Sequence, residues 1–239
     1  MSITTLQIQD AARAVGVTLD ETQATQFVRY RDLLLEWNER FNLTTITDDA
    51  AILALHFADS LSLLPALPMN AQTLLDVGTG AGMPGIPLKI ARPDLRVTLM
   101  DSTGKKIAFC QAVIDDLRLS GIRAVHARAE EAAHLRDHRE HYAIVVARAL
   151  AHLPTLVEYL LPFVRVGGLC VAMKGSDAQQ EATRAERAIQ ILGGELAQLQ
   201  PVTLPGVPDQ RALVIIRKSK TSPQLYPRQA GKPRSAPLA

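Results

Sequence analysis

Cysteine is scarce: Cys110 and Cys170 are the only two in 239 residues and form no C-x-x-C pair, which leaves no basis for a disulfide framework or a zinc cluster. Both read as small buried apolar groups. Aromatic residues make up 4% of the chain, with a single tryptophan. No apolar run approaches the roughly 18 residues of a membrane span. The start, MSITTLQIQDAARAV, also lacks the basic segment and apolar run of a signal peptide. Acid is missing locally. Residues 211–239 hold seven basic side chains (Arg211, Arg217, Lys218, Lys220, Arg228, Lys232, Arg234) and no Asp or Glu, which leaves 19 basic against 24 acidic residues in 1–210. The net charge of +2 therefore describes a mildly acidic body with a basic end. Such an end suits a polyanion, with affinity that falls as salt rises, although a solubilising tail has the same composition. These absences predict a cytoplasmic globular protein with no membrane attachment and no metal; a monomer is the expectation, with oligomeric state left open by the sequence. Its hydrophobic fraction of 47% is ample for one α/β domain and an accessory segment.

The order of the chain divides it further. Residues 1–70 read as helical. Thr18 and Glu21 stand at capping-box spacing ahead of a segment in which Phe27, Tyr30, Leu34, Trp37 and Phe41 recur at steps of three and four, with Trp37 as a packing anchor. A second helix is expected from Asp48 to Leu64, stopped by Pro65 and Pro68. From residue 73 onward, strands alternate with helices, as in a doubly wound parallel sheet. The expected strands are Thr73–Val77, Arg96–Met100, Ile122–His126, Ala143–Ala147, Val166–Met173, Glu195–Val202 and Arg211–Arg217. Helices are expected at Ile86–Arg92, Gly104–Leu119, Leu153–Val164 and Asp177–Leu192. Only a short loop separates the last two strands, which predicts an antiparallel pair. The proline- and base-rich segment from Thr221 completes a division into a helical extension (1–70), an α/β domain (71–220) and a basic arm (221–239).

The most informative stretch is TLLDVGTGAGMPGIPLKI, residues 73–90, a strand that runs through glycines into a helix. Gly80, Gly82 and Gly85 satisfy G-x-G-x-x-G, and Asp101 lies at the end of the next strand, which fits a dinucleotide fingerprint. The same residues fill D-x-G-x-G-x-G with Asp76, Gly78, Gly80 and Gly82, the pattern of Rossmann-like class I methyltransferases that use S-adenosyl-L-methionine. A dinucleotide needs donors for a pyrophosphate, whereas adenosylmethionine carries a sulfonium and an amino-acid end. In the second reading Asp76 orients the methionyl ammonium and Asp101 accepts from the ribose diol or caps the next helix. The last pair of strands favours this reading: seven strands, mostly parallel, with an antiparallel final strand. An NAD-dependent oxidoreductase and a non-catalytic RNA-binding protein remain as alternatives.

Further stretches extend the pattern: Trp37-Asn38 with Asn42-Leu43-Thr44, His56 with Asp59-Ser60-Leu61, the Asp101–Lys106 turn, Ala129-Glu130-Glu131, Ala147-Arg148-Ala149, Lys174-Gly175 and the terminal YPRQAGKPRSAPL. With the glycine loop, the chain resembles the bacterial ribosomal RNA small subunit methyltransferase G family, also called glucose-inhibited division protein B. The resemblance implies methyl transfer from adenosylmethionine to N7 of one guanine, guanosine 527, of 16S ribosomal RNA in the small ribosomal subunit. It also implies cofactor contacts at Gly78, Met83, Ala129, Glu130 and Arg148. The segment His134–Tyr142 (HLRDHREHY) departs from the family by being long and charged. Guanine N7 has a free lone pair and no proton, so its attack needs positioning but no general base. The chain agrees in lacking both an amine-gripping (Asp/Asn/Ser)-Pro-Pro-aromatic motif and a loop cysteine. Arg148 and Lys174, each ending a strand, are candidates to hold guanine O6 or a phosphate. His56 is a third, although His56 and Asp59 read first as a local pair. Arg228, Lys232 and Arg234 suit an extended arm on RNA phosphate.

Overall fold

A computed structural model describes residues 3–238; Met1, Ser2 and Ala239, the outermost positions of the expected extension and arm, lie outside the described residues. Seven strands form one sheet: β1 (Thr73–Val77), β2 (Arg96–Asp101), β3 (Ile122–His126), β4 (Tyr142–Arg148), β5 (Val164–Lys174), β6 (Gly194–Val202) and β7 (Arg211–Lys218). Their spatial order is β3-β2-β1-β4-β5-β7-β6. Pairing is parallel from β3 to β5, while β7 runs antiparallel to both β5 and β6. Only β7 is reversed, because the loop 203–210 folds it back as a hairpin on β6. Chain order turns around between β1 and β4, where an open α/β sheet leaves a crevice beyond its carboxyl ends.

Both faces of the sheet are covered, so β4 is buried from Tyr142 to Ala147 and reads as a continuous apolar run. One face packs against the N-terminal layer: α1 (Thr5–Ala14), α2 (Glu21–Phe41), the composite helix α3 over residues 49–61, α4 (Gly85–Ala91) and α5 (Gly104–Asp116). Ile8, Phe27, Leu34, Phe57, Ile86 and Phe109 meet strand residues such as Leu74 and Val146 in a single cluster. Trp37 packs on Phe41 and Phe109, with ring centroids 5.3 and 5.6 Å away. The other face is covered by α6 (Ala129–Ala132), α7 (Leu153–Leu160) and α8 (Ala178–Ile191), whose Leu156, Ala182, Ala185 and Ile189 bury against Val145, Cys170 and Val214. A short α9 (Lys232–Ser235) closes the described chain.

Three details differ from the sequence expectation. The cap of α2 is Asp20, not Thr18: its carboxylate accepts from the Gln23 amide N–H at 2.7 Å, and Gln23 Oε1 accepts from the Asp20 N–H in return. Gln23 Nε2 also donates to the Ile90 carbonyl at 2.9 Å, so a contact with the end of α4 selects this register. A second capping box, Thr4 with Gln7, starts α1. The helix α3 ends at Leu61, short of Leu64, and is π-helical from Ile52 to Ala58. The stretch Asp49–Ala66 is long and apolar enough to cross a membrane by length and composition, but half of it is buried inside the protein. It includes His56 and Asp59, which are held in the interior.

Candidate functional site

The loop after β1 is built by backbone demands and one acid. Gly78, Gly80 and Gly82 have φ of +70°, +61° and +87°, the left-handed region that glycine enters without a Cβ penalty. Beneath them Asp76 is completely buried. Its Oδ2 accepts from Thr79 Oγ1 at 2.6 Å and from the Gly85 N–H at 2.9 Å, tying the turn to the start of α4. Burial raises the Asp76 carboxyl to about 6, against the lowering effect of these two bonds. Its Oδ1 has no partner among the described residues. The Gly85 N–H at the start of α4 is thereby committed to Asp76 and is not free for a ligand phosphate. A Cβ at Gly82 would overlap Ile86 and stand 2.9 Å from the Tyr30 hydroxyl, which donates to the Ala81 carbonyl. Gly82→Ala is expected to lower the unfolding free energy by about 3 kcal/mol, through strain and overpacking, in urea denaturation.

Beyond the carboxyl ends of β1, β2 and β3 lies a cavity of about 330 Å³, within the usual range for small-molecule sites of roughly 300–1,000 Å³. Gly78, Asp101, Ala129 and Glu130, four of the residues expected to contact a cofactor, line it together. Asp101 accepts from the Gly80 N–H at 3.0 Å and from the Thr103 N–H at 2.9 Å. The cap of α5 is therefore Thr103, not Asp101. Gly78 forms a close wall, where a Cβ would stand 2.7 Å from Leu150 Cδ1. Asp76, Gly80 and Gly82 lie behind this wall and shape it. Two of the expected contacts, Met83 and Arg148, stand outside this lining. Met83 is buried in the core cluster beside the loop and is not part of the cavity lining. Arg148 lines a neighbouring cleft instead. Adenosylmethionine fits this cavity: the carboxylates of Asp101 and Glu130 suit hydroxyl donors, Gly78 permits close approach, and the orphan oxygen of Asp76 is an acceptor under the loop for an ammonium group.

The neighbouring cleft, about 190 Å³, opens at the ends of β4, β5 and β7 and shares Ala149 with the cofactor cavity. Arg148 donates to Asp59 Oδ2 at 2.9 Å and to the Leu55 carbonyl at 2.8 Å, and it points Nη2 at His56 Nδ1, 3.4 Å away. An arginine only donates, so Nδ1 accepts and His56 Nε2–H donates to Thr44 Oγ1 at 3.1 Å. Thr44 N in turn donates to Asn38 Oδ1 at 2.9 Å. Asn38, Thr44, His56, Asp59 and Arg148 thus form one polar chain from α2 to the end of β4. His56 and Asp59 meet through Arg148, not as a pair with each other. Burial, then the charge of Arg148, lowers His56 to about 4, so it stays neutral near pH 7. The π-helical turn of α3 carries both His56 and the Leu55 carbonyl; such turns recur at functional sites. Lys174 is paired with Glu181 at 2.7 Å and donates to the Ala151 carbonyl. Arg211, which the sequence reading did not single out, lines the same cleft, and its buried Nε has no partner.

The basic arm is folded onto the body rather than extended. Arg228 donates to both oxygens of Glu158, at 2.9 and 2.6 Å, and its backbone N–H adds a third bond. Glu158 is completely buried, so this guanidinium is committed to the protein and is withdrawn from the set facing phosphate. The charged segment before β4 is the receptor: Arg139 donates to the carbonyls of Ser222, Pro223 and Tyr226, His134 donates to that of Pro227, and Glu140 accepts from the Ser222 N–H. Lys232 and Arg234 remain exposed. Both cysteines are buried, and burial pushes the Cys170 thiol up to about 12, which agrees with a packing role. Among the described residues, no group of three or more His, Cys, Asp or Glu side chains converges on a metal position.

The chain matches known proteins in sequence and in fold. The family described as rRNA small subunit methyltransferase G matches residues 23–213. A ribosomal RNA small subunit methyltransferase G from Pelotomaculum thermopropionicum is 47% identical over 239 residues, covering all of both chains. One from Acetivibrio thermocellus is 46% identical over 96% of this chain and 94% of its own. Solved structures share the fold at lower identity. Precorrin-6y C5,15-methyltransferase from Geobacter metallireducens has a TM-score of 0.51 at 15% identity, covering 73% of this chain and 90% of its own. TrmN from Thermus thermophilus has a TM-score of 0.51 at 19% identity, covering 70% and 53%. The chain belongs to the rRNA small subunit methyltransferase G family, enzymes that methylate ribosomal RNA with S-adenosyl-L-methionine as cofactor.

Proposed function

We propose that this enzyme methylates N7 of a single guanine, guanosine 527, of 16S ribosomal RNA, acting in the cytoplasm on the small ribosomal subunit or its RNA. The observation that carries the reading is the cleft beside Ala149. It presents Arg148, Lys174 and Arg211, while its carboxylates Asp59 and Glu181 are already paired with Arg148 and Lys174. The surplus there is of donors, and no free base stands by. A base recognised through its major-groove edge must then offer acceptors: guanine shows N7 and O6, whereas adenine adds an N6 donor. A nucleophile with a lone pair and no proton needs no base, so the chain's own groups need only hold the ring in line. Bound adenosylmethionine supplies an electrophilic methyl on a sulfonium. Arg211 Nε or Lys174 would hold O6 or the adjacent phosphate, leaving N7 open, and His56, neutral and fully engaged, keeps Arg148 in place.

Incubation with methyl-labelled adenosylmethionine and small-subunit RNA is expected to label one guanine. That position should then become sensitive to borohydride and aniline cleavage, which reads N7-methylation. Label at an exocyclic amine or on a pyrimidine would refute the reading.

A further inference from the structure

The C-terminal arm reaches the cofactor cavity. Arg234 is among its lining residues, together with Asp101, Glu130 and Tyr159. The Gly231 N–H donates to Glu130 Oε1 at 3.2 Å, so the arm is bonded to one of the carboxylates that line the cavity. From both sides of this contact the arm is anchored in the body: Arg228 on buried Glu158, and the Pro233 carbonyl accepting from Thr155 Oγ1 at 3.1 Å. Glu158, Thr155 and Tyr159 all belong to α7, and Tyr159 carries the imprint of the arrangement. Burial raises its phenol, with Glu130 and Glu158 adding to the rise and Arg234 opposing it.

We infer that the arm is part of the cofactor site, with Arg234 as a positioning residue that covers the nucleoside end of adenosylmethionine beside Glu130. Its planar guanidinium can lie against a flat aromatic ring or donate to ring nitrogens and ribose oxygens. A tail that only carries charge to RNA has no reason to bury a bidentate ion pair and to bond Glu130. The inference rests on the adenosylmethionine cavity and is independent of which RNA atom is methylated, so either can fail alone.

The test uses the full chain and adenosylhomocysteine in calorimetry. Arg234→Ala is expected to weaken adenosylhomocysteine binding about tenfold, the size of one stacked or charge-assisted contact. Lys232→Ala, which removes the same charge from the same arm outside the cavity, should stay within about twofold of wild type. Both positions are exposed, so the fold tolerates both changes. Hydrogen exchange gives a second readout: saturating adenosylhomocysteine should slow amides 228–236 in wild type, and less so in Arg234→Ala. Unchanged binding in Arg234→Ala, with equal loss of RNA affinity in both variants and no ligand-dependent protection of the arm, would overturn the inference and return the segment to a role on RNA.

Discussion

Replacing Arg148 by alanine is expected to lower the unfolding free energy by about 3–5 kcal/mol, the usual cost of stranding one partner of a buried ion pair, and to abolish methyl transfer. Asp59 is 5% exposed, and Arg148 Nη1 is its only side-chain partner among the described contacts. Without the guanidinium, a carboxylate, the Leu55 carbonyl and His56 Nδ1 lose their donor together. Arg148→Lys should recover only part of the loss, because an ammonium on a flexible stem cannot serve three acceptors in the geometry of a planar fork. Asp59→Asn should cost less than Arg148→Ala, since the arginine keeps Leu55 and His56. A double-mutant cycle between the two positions should show coupling above about 1 kcal/mol. Urea denaturation of the four proteins decides it: an Arg148→Ala loss below about 1 kcal/mol, the level of an exposed pair, would mean that Arg148 does not hold α3 on the sheet.

How much of this was legible in the sequence follows from the range over which each constraint acts. The glycine loop was readable because a left-handed φ is a demand on one residue, and Asp76 stands within nine positions of both donors it binds. Strands β1 to β7 were readable from local runs and breakers. The roles of individual cations were not. Arg148 reads as a cofactor or guanine ligand from its place at a strand end, but its partners Leu55, His56 and Asp59 lie about ninety residues away in sequence. Arg228 reads as a free charge in a basic tail, and the acid that takes it, Glu158, is 70 residues back on α7, in a segment whose other residues are mostly apolar. The charged segment His134–Tyr142 looked like an irregularity because its partners are carbonyls of the arm, which no side-chain pattern reveals. The motifs around Asn38, Thr44 and His56 were visible as separate stretches; only folding shows that they are consecutive links ending on Arg148.

Asp76→Asn separates stability from ligand binding. The carboxyl is raised from its ordinary value to about 6 by burial, so between about pH 4 and pH 6 the folded protein holds a proton that the unfolded chain has released. Stability contributed by this group is therefore present at low pH and is lost as pH rises through about 6. Asparagine keeps an acceptor for Thr79 and Gly85 and cannot ionise. Relative to wild type, the variant should then gain about 2 kcal/mol in unfolding free energy on going from pH 4.5 to pH 7.5, from a shift of about two units at 1.36 kcal/mol each, discounted for relaxation. Binding moves the other way. We propose that the orphan Oδ1 accepts from the cofactor's ammonium; the Asn amide group would then present donors in its place, and adenosylhomocysteine affinity at pH 7.5 should fall by at least about thirtyfold, or 2 kcal/mol. In wild type the same affinity should decline as pH drops through about 6, because the ligand must then displace a proton from Asp76. Urea denaturation at the two pH values and calorimetry across that range read both effects. A variant that binds normally, or a wild-type affinity flat from pH 7.5 to 5, would show that Asp76 braces the loop without facing the cofactor's ammonium.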